Sequence, residues 1–440
     1  MNTKKESAMG NIFRTLRYRN FRLFFFGQGI SLVGTWMQAI AMGWLVYRMT
    51  NSAFLLGIVG FASQIPMFVL GPLGGVIADR VNRHKILVVT QTLSMIQALI
   101  LAGLTLTGRI EVWHLIALGA FLGCINSIDI PARQAFLVEM VEKKENLGNA
   151  IALNSSMFNG ARLIGPAVAG VLVAVFGEGI CFLLNGLSFI AVIISLLAMK
   201  VRAPDVAVNN SNVMEELKEG FVYTFSFLPI RFILLLLGVI SLMGMSYAVL
   251  MPVFARDILH GGPSTLGFLV GSGGIGALAA TVYLASRKSI VGLARMIPIS
   301  SALFASCLIL FSLSRTLWAS VIILAVAGFG MMTNMAASNT ILQTITDDDK
   351  RGRVMSFYAM AFMGIAPFGS LIAGALAGRI GATDTLIIGG VSCIIASAFF
   401  ASKLPQLNKI IHPIYRKIGI IPEVALGIGA ATRLTAPPED

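Results

Sequence analysis

Charged residues are scarce in this chain of 440 residues: Asp, Glu, Lys and Arg make up only 12% of it, whereas hydrophobic residues make up 56%. A water-soluble protein of this length carries about twice that share of charged residues, so a soluble fold is excluded. Cysteine is also rare, and its four copies lie singly within apolar stretches, at Cys124, Cys181, Cys307 and Cys393. Because this spacing fits neither a disulfide framework nor a metal site, we expect no metal and no cofactor.

Catalytic groups are missing from the apolar stretches as well. The 20 Asp and Glu residues all fall in loops, tails or the ends of these stretches. Only His114 comes near a possible cluster of catalytic groups, and the sequence has no nucleophile–base pair and no phosphate-binding glycine loop. We therefore predict that the protein is not an enzyme. A membrane receptor is also disfavoured, because the tail after Lys403 is too short for a folded domain.

Long apolar runs are what the sequence does contain. A helix of about 20 apolar residues crosses the hydrocarbon core of a bilayer. Open sheet edges cannot face lipid, and a β-barrel would show shorter alternating segments, so the runs predict helices. The predicted fold class is an all-α integral membrane protein with twelve transmembrane helices, spans 1 to 12, at residues 21–47, 53–78, 86–107, 112–130, 150–176, 179–199, 230–254, 265–285, 296–313, 317–338, 354–378 and 383–401.

The 33 Lys and Arg residues predict the orientation of these spans. Nearly all of them lie in the tails and in the loops that share one side with the tails. Loops on the cytoplasmic side carry such an excess, so both termini are expected in the cytoplasm. Basic loops against anionic lipids also explain the net charge of +13 without nucleic acid. Span 1 is too long for a cleaved signal peptide. The opposite side holds only Arg48, Arg109, Arg256, Arg315 and Arg379.

The spans divide six and six around one long polar break. We expect a basic N-terminal segment (1–20), a first six-helix bundle (21–199), a cytoplasmic linker with a short amphipathic helix (200–229), a second bundle (230–401) and a C-terminal tail (402–440). Shifting the first half onto the second superposes five glycines over about thirty positions, a pattern that predicts a parallel internal repeat. The superposed glycines are Gly148, Gly160, Gly165, Gly170 and Gly177 on Gly352, Gly364, Gly369, Gly374 and Gly381.

The loop after span 2 reads Gly-Gly-Val-Ile-Ala-Asp-Arg-Val-Asn-Arg-His-Lys over residues 74–85. This sequence resembles the loop 2–3 signature of the major facilitator superfamily, with His84 as an intrusion. The resemblance implies two pseudo-symmetric six-helix bundles and a cytoplasmic gate. In that gate, Gly75 would allow close helix packing and Asp79 would meet the N-terminal end of span 11. Asp129 is expected to pair with Arg80 or Arg83, and an ordinary basic turn is the alternative. The predicted gate comprises Gly75, Asp79, Arg80, Arg83, Lys85, Asp129, Arg351 and Arg353.

Span 5 contains a second pattern of small residues, at Gly160, Gly165, Pro166 and Gly170. It is similar to the Gly-Pro signature of the superfamily's exporters and antiporters, although the full signature has more glycines. Small residues let helices approach closely, and a proline frees a backbone carbonyl and bends the helix. We interpret these four residues as a packing motif, and the resemblance favours export over import.

Arg162 in span 5 is the ionisable residue nearest the middle of any span. A mid-membrane arginine costs about 2.5–3.5 kcal/mol even on a lenient scale, so it should face protein or water and have a counter-charge. It would either contact an anionic substrate or lock neighbouring helices together through hydrogen bonds. Other polar residues in the spans predict a substrate cavity, although they could equally hold helices together. The predicted cavity comprises Gln28, Trp36, Gln38, Asn126, Asn154, Arg162 and Asn334.

The wider resemblance covers about residues 13–403. Residues 16–22, 129–134 and 351–353 look like the bacterial branch of the superfamily that contains the enterobactin exporter, and that branch is similar in its span 5 arginine too. The resemblance implies an alternating-access exporter of small amphipathic or anionic compounds, such as siderophores or drugs. The exporter would act as a monomer among the lipids of the bacterial cytoplasmic (inner) membrane. A lysophospholipid flippase is the alternative. The resemblance also favours proton antiport. No carboxylate lies at the centre of a span, so Asp129 or Asp79 would have to carry the proton, or the substrate's own charge would provide the coupling.

Overall fold

The computed structural model describes residues 13–141, 146–199, 213–287, 290–347 and 350–417. Helices of membrane-spanning length and composition form at all twelve predicted places, which confirms the fold class. We number them α1 to α12. They are Arg19–Thr50, Ala53–Arg80, Arg83–Leu106, Val112–Glu139, Leu147–Phe176, Glu178–Leu197, Leu228–Ile258, Pro263–Ser286, Leu293–Leu313, Leu317–Ile345, Arg351–Ile380 and Ala382–Lys417. A short 3-10 helix, Phe13–Arg17, precedes α1.

Several helices continue past the predicted ends of the apolar runs. The last helix is the largest case, since α12 continues through residue 402, where the sequence predicts the start of a tail, as far as Lys417. Leu407, Ile411 and Tyr415 of this extension are buried against the second bundle. An amphipathic stretch that packs on protein is not a continuous apolar run, so the sequence does not reveal it as part of a span. Its backbone hydrogen bonds and its packing nevertheless keep it helical.

A short helix, Val213–Ser226, lies within the predicted linker. We call it the linker helix. Its Glu219 side chain contacts Arg353 at the start of α11, so the linker helix packs beside the second bundle. Residues 200–212 of the predicted linker lie outside the described part of the chain.

The predicted repeat register agrees with the helix boundaries. The shift that places Gly165 on Gly369 also carries Leu147–Phe176 onto Arg351–Ile380, the ends of α5 and α11. Each glycine of this pair is buried and contacts the first helix of its own bundle. A Cβ at Gly165 would lie 2.5 Å from Trp36 Cβ in α1, and a Cβ at Gly369 would meet the backbone of Leu242 in α7. The two bundles therefore pack these helices in the same way.

The described residues form three hydrophobic cores, and one of them joins the two bundles. One core draws residues from both bundles, including Leu45 in α1, Phe254 in α7 and Ala373 in α11. The second core consists of residues from Ile230 onward, and the third consists of residues between Phe21 and Met199, so each belongs to one bundle. The shared core lies toward the face that carries the α1–α2 turn, which we call the distal face. The separate cores lie toward the opposite face, where α1 begins and α12 ends, which we call the terminal face.

Candidate transport cleft

Glycine pairs bring the two bundles together near the distal face. In α2 and α11, a Cβ added at Gly57 would lie 2.7 Å from the Ser370 carbonyl oxygen and 2.9 Å from Gly374 Cα. In α5 and α8, a Cβ at Gly170 would lie 3.1 Å from Gly267 Cα. Because no side chain separates these helices, their backbones touch. We call the two contacts together the distal seam.

Polar contacts between the bundles lie beside the seam at the ends of α1 and α7. Tyr47 donates a hydrogen bond to the Asp257 carboxylate, and Arg256 donates one to Asn51 Oδ1 at 2.6 Å. The Arg256 guanidinium also lies 5.9 Å from the centre of the Tyr47 ring. These four residues form a distal latch that sequence reasoning missed. The signal available was the Arg256–Asp257 pair at the end of span 7.

Contacts between the bundles continue from the distal face to the middle of the helices. The Phe368 ring in α11 packs edge-on against Phe61 and Phe68 in α2, with centroids 5.8 and 5.7 Å apart. In α5, Leu163 lies 3.2 Å from the Cβ position of Gly274 in α8. The shared core, the seam and these contacts together close the distal half of the space between the bundles.

At the terminal face, the described ion pairs of the predicted gate residues Asp79, Arg83 and Arg353 do not cross from one bundle to the other. Arg83 pairs with Glu139 in α4 and with Asp79, which is 3.2 Å away and largely exposed. Arg353 pairs with Glu219 of the linker helix at 2.8 Å, and the Arg351 Nε donates to the Gln343 carbonyl oxygen at 3.1 Å. The predicted contact between Asp79 and the start of span 11 is therefore not among the pairs seen in this conformation.

Two details of the predicted gate are not seen in this conformation. The close helix approach occurs at Gly74, whose Cβ position would collide with the Ser127 carbonyl oxygen, whereas Gly75 has open space around it. A one-residue shift turns about 100° around a helix, so adjacent glycines face different neighbours. Arg80 and Lys85 are exposed.

The second detail is the partner of Asp129, which is neither Arg80 nor Arg83 as predicted. Asp129 is buried and pairs with Arg133, one helical turn away, at 2.7 Å. It also accepts hydrogen bonds from Thr90 and Gln91 of α3, at 2.7 and 2.8 Å. The spacing of Asp129 and Arg133 in the sequence could have indicated this pair, because residues four apart meet on a helix.

Two residues assigned to the cavity hold helices together instead. Gln38 is buried between Gln97, at 3.0 Å, and Asn185, at 2.7 Å, so it links α1 to α3 and α6. Asn334 is buried in α10 and donates to Ser301 Oγ at 2.5 Å and to the Ile297 carbonyl. Their placement in the cavity is therefore wrong in this conformation. Gln28 is buried too.

The other predicted cavity residues are partly exposed. They are Trp36 in α1, Asn126 in α4, and Asn154 and Arg162 in α5. The structure brings Arg162 and Trp36 together, with the guanidinium 5.8 Å from the centre of the ring. Arg162 precedes Leu163, which makes the last contact of the closed region, so these two residues lie at the closed end of the cleft between the bundles.

The predicted packing motif is divided between contacts and open space. Gly165 and Gly170 make the close contacts described above, and the carbonyl oxygen of Pro166 lies 2.5 Å from the Cβ position of Gly267. Gly160 instead has open space around it. It lies on the terminal side of Leu163, beyond the contact between α5 and α8 described above.

Comparisons with known proteins match nearly the whole chain. Residues 11–416 match a family model described as transmembrane secretion effector. The chain is 26% identical over 392 residues to the staphyloferrin A transporter of Staphylococcus aureus, which covers 88% of this chain and 97% of that protein. It is 22% identical over 394 residues to the multidrug efflux pump Tap of Mycolicibacterium fortuitum (87% and 94%). It is 23% identical over 415 residues to macrolide efflux protein A of Streptococcus pyogenes (90% and 99%).

Solved structures share the fold at lower identity. A POT family transporter gives a TM-score of 0.71 at 12% identity, over 88% of this chain and 96% of the other. A bacterial homologue of the human lysosomal transporter Spinster gives 0.68 at 12% identity, over 89% and 98%.

Proposed function

We propose that this protein, which belongs to the family of major facilitator transporters described as transmembrane secretion effectors, exports a small organic compound by alternating access. The observation that carries this proposal is the contrast between the ends of the cleft. Backbone contacts at Gly57–Gly374 and Gly170–Gly267 close the distal end. Among the residues that the structure describes, the ion pairs of Arg83 and Arg353 at the terminal end stay within one bundle or join the linker helix. A cleft closed at one end and parted at the other is one of the two states that alternating access requires.

The basic residues set the direction of the cleft. The terminal face carries the loops rich in Lys and Arg, so we assign it to the cytoplasm. The cleft then opens to the cytoplasm, where an exporter takes up its substrate. On this assignment the distal latch faces the exterior of the cell.

Closing the terminal face would bring the gate residues together. Asp79 is largely exposed, and its contact with Arg83 leaves its carboxylate accessible. We infer that, when the bundles rock, Asp79 meets the N-terminal end of α11, whose unpaired N–H groups favour a negative charge. Gly160 and Gly75, which have open space here, would then become packing contacts.

The names of the relatives support the substrate class. The staphyloferrin A transporter handles a siderophore, and Tap and macrolide efflux protein A remove drugs. We extend to this chain the common feature of these names, the transport of a small organic compound, and we take its amphipathic character from the resemblance to the superfamily. Proton antiport remains our proposal for the energy source, by resemblance to the superfamily.

A vesicle assay tests the function directly. We expect inside-out vesicles containing the protein to accumulate a siderophore or a macrolide when their interior is made acid, and protein-free vesicles not to do so. Fluorescent lysophospholipid forms a third arm, and movement of this lipid alone would replace export with a flippase activity. Uptake that is indifferent to the pH gradient would rule out proton exchange, and no movement of any compound would contradict transport.

A further inference from the structure

At the closed end of the cleft, Arg162 has no counter-ion among the residues that the structure describes. It lies near the middle of α5 and forms neither a hydrogen bond nor an ion pair with any residue that the structure describes. The buried carboxylates are already engaged elsewhere: Asp129 with Arg133, and Glu178 with Arg48 at 2.7 Å. The hydrogen bonds that a structural lock would need are therefore not formed within the described part of the chain.

An arginine in this position is costly unless something compensates for its charge. The free-energy penalty of an arginine at mid-membrane falls when the side chain faces water or an anion. The cleft supplies water from the terminal side. A transported anion that entered the cleft would find the guanidinium at its closed end.

We propose that Arg162 binds the acidic group of an organic anion whose apolar body packs on the neighbouring aromatic rings. This site rests on the proposed transport function and names its substrate class. The guanidinium offers parallel N–H donors in a planar fork, which matches the two oxygens of a carboxylate.

The aromatic part of the site comes from both bundles. In the first bundle, the Trp36 and Phe158 rings meet edge-on with centroids 6.0 Å apart, and the guanidinium of Arg162 lies over Trp36. In the second bundle, Tyr247 is close enough to interact electrostatically with Arg162, and its hydroxyl faces Gly273 of α8. A ligand held by Arg162 and Tyr247 touches both bundles, so its binding favours the conformations in which they come together.

A matched pair of fluorescent probes tests the site without transport. Dansylglycine carries a carboxylate, and dansylglycinamide is its neutral counterpart of nearly the same shape. We expect the purified protein in detergent to bind the carboxylate at least about 10-fold more tightly, by fluorescence anisotropy. In Arg162→Gln we expect carboxylate affinity to fall about 10- to 100-fold and amide affinity to change less than about 3-fold, as expected for a lost charge-assisted hydrogen bond.

Arg109→Gln is the control, because Arg109 is exposed in the α3–α4 turn at the distal face. It should leave both affinities unchanged. Arg162→Lys keeps the charge but loses the fork, so it should lower carboxylate affinity about 3- to 10-fold and spare the amide. If Arg162→Gln does not fold, the affinities of Arg162→Lys test the site in its place.

Two results would overturn the site. One is a wild-type protein that does not prefer the carboxylate, whether it binds both probes or neither. The other is an Arg162 variant that weakens both probes equally or neither of them. Because the measurement is made in detergent, a carboxylate preference can persist when the vesicles move nothing. The anion site and the export function therefore fail separately.

Discussion

The two ends of the cleft are built from different kinds of contact. At the distal end, glycine backbones touch across the bundles and exclude side chains, as at Gly57 and Gly374. At the terminal end, charged side chains such as Asp79 and Arg353 find partners without crossing between the bundles. A close-packed contact loses most of its energy with small separations, whereas exposed charges are solvated when apart. The distal end therefore depends on exact fit, and the terminal end on charges that water can hold in the open state.

Substituting a seam glycine should have the largest effect on this contrast. In Gly374→Val, the added Cβ would lie 2.7 Å from Gly57 Cα and 2.8 Å from the Ala53 carbonyl oxygen. Backbone atoms can move aside only if the whole helix moves. We therefore expect α2 and α11 to separate and the free energy of unfolding to fall by about 1–3 kcal/mol. An impermeant maleimide added from the distal side should label Ser370→Cys at least about 10-fold faster in this background.

Gly103→Val is the matched control, because Gly103 in α3 is exposed with open space around it. Equal labelling rates in Gly374→Val and Gly103→Val would show that the seam does not close the distal end.

Breaking the distal latch should have a smaller effect. Tyr47→Phe removes the hydroxyl that donates to Asp257 and leaves the Arg256–Asn51 hydrogen bond in place. A hydrogen bond to a charged group contributes about 1.5–3 kcal/mol, so the distal-open population should rise roughly 10-fold or more. The same labelling of Ser370→Cys measures this change. Tyr283→Phe, near the terminal end of α8, should leave the rate unaltered, and a similar increase in both variants would count against the latch.

Removing the gate charge should change the stability of this conformation least. The Asp79–Arg83 contact is exposed and Arg83 keeps Glu139, so Asp79→Asn should shift the free energy of unfolding by less than about 0.5 kcal/mol. We nonetheless expect export to fall, because the terminal face would have to close without the Asp79 carboxylate that favours the N-terminal end of α11. Thermal unfolding in detergent and vesicle transport measure the two effects. Asp384→Asn, exposed at the distal start of α12, should alter neither, and normal export by Asp79→Asn would remove the gate.

Sequence reasoning predicted the architecture well, because hydrocarbon imposes a simple rule on it. Every span must be apolar and helical, so all twelve helices and the repeat register could be read directly. The family confirms that the chain is a transporter and not an enzyme. The helix ends were less predictable. The extension to Lys417 is amphipathic, and packing against the second bundle rather than lipid keeps it in place.

The candidate site was predictable in its residue types but not in their partners. Gln38 and Arg162 are both polar residues in apolar spans. Nothing in the sequence says that Gln38 meets Gln97 and Asn185 while Arg162 lies over the Trp36 ring. Long-range pairs such as Tyr47–Asp257 depend on how the bundles meet, which local periodicity does not encode. Adjacent glycines pose the same difficulty, since Gly74 and Gly75 differ only in which side of α2 they occupy.

The described part of the second bundle contains three π-helical segments, Ile240–Gly244, Phe254–Ile258 and Met360–Gly364. In contrast, α1 and α5, the counterparts of α7 and α11, are continuous α-helices. The Ser241 hydroxyl donates to the Phe362 carbonyl oxygen at 2.5 Å, which joins two of the irregular turns. A wide turn interrupts the regular hydrogen-bond ladder and is a natural place for a helix to bend. We expect the first bundle to swing as a stiff unit and the second to flex at this joint. The two bundles share an internal sequence repeat, yet they would then contribute unequally to the conformational change.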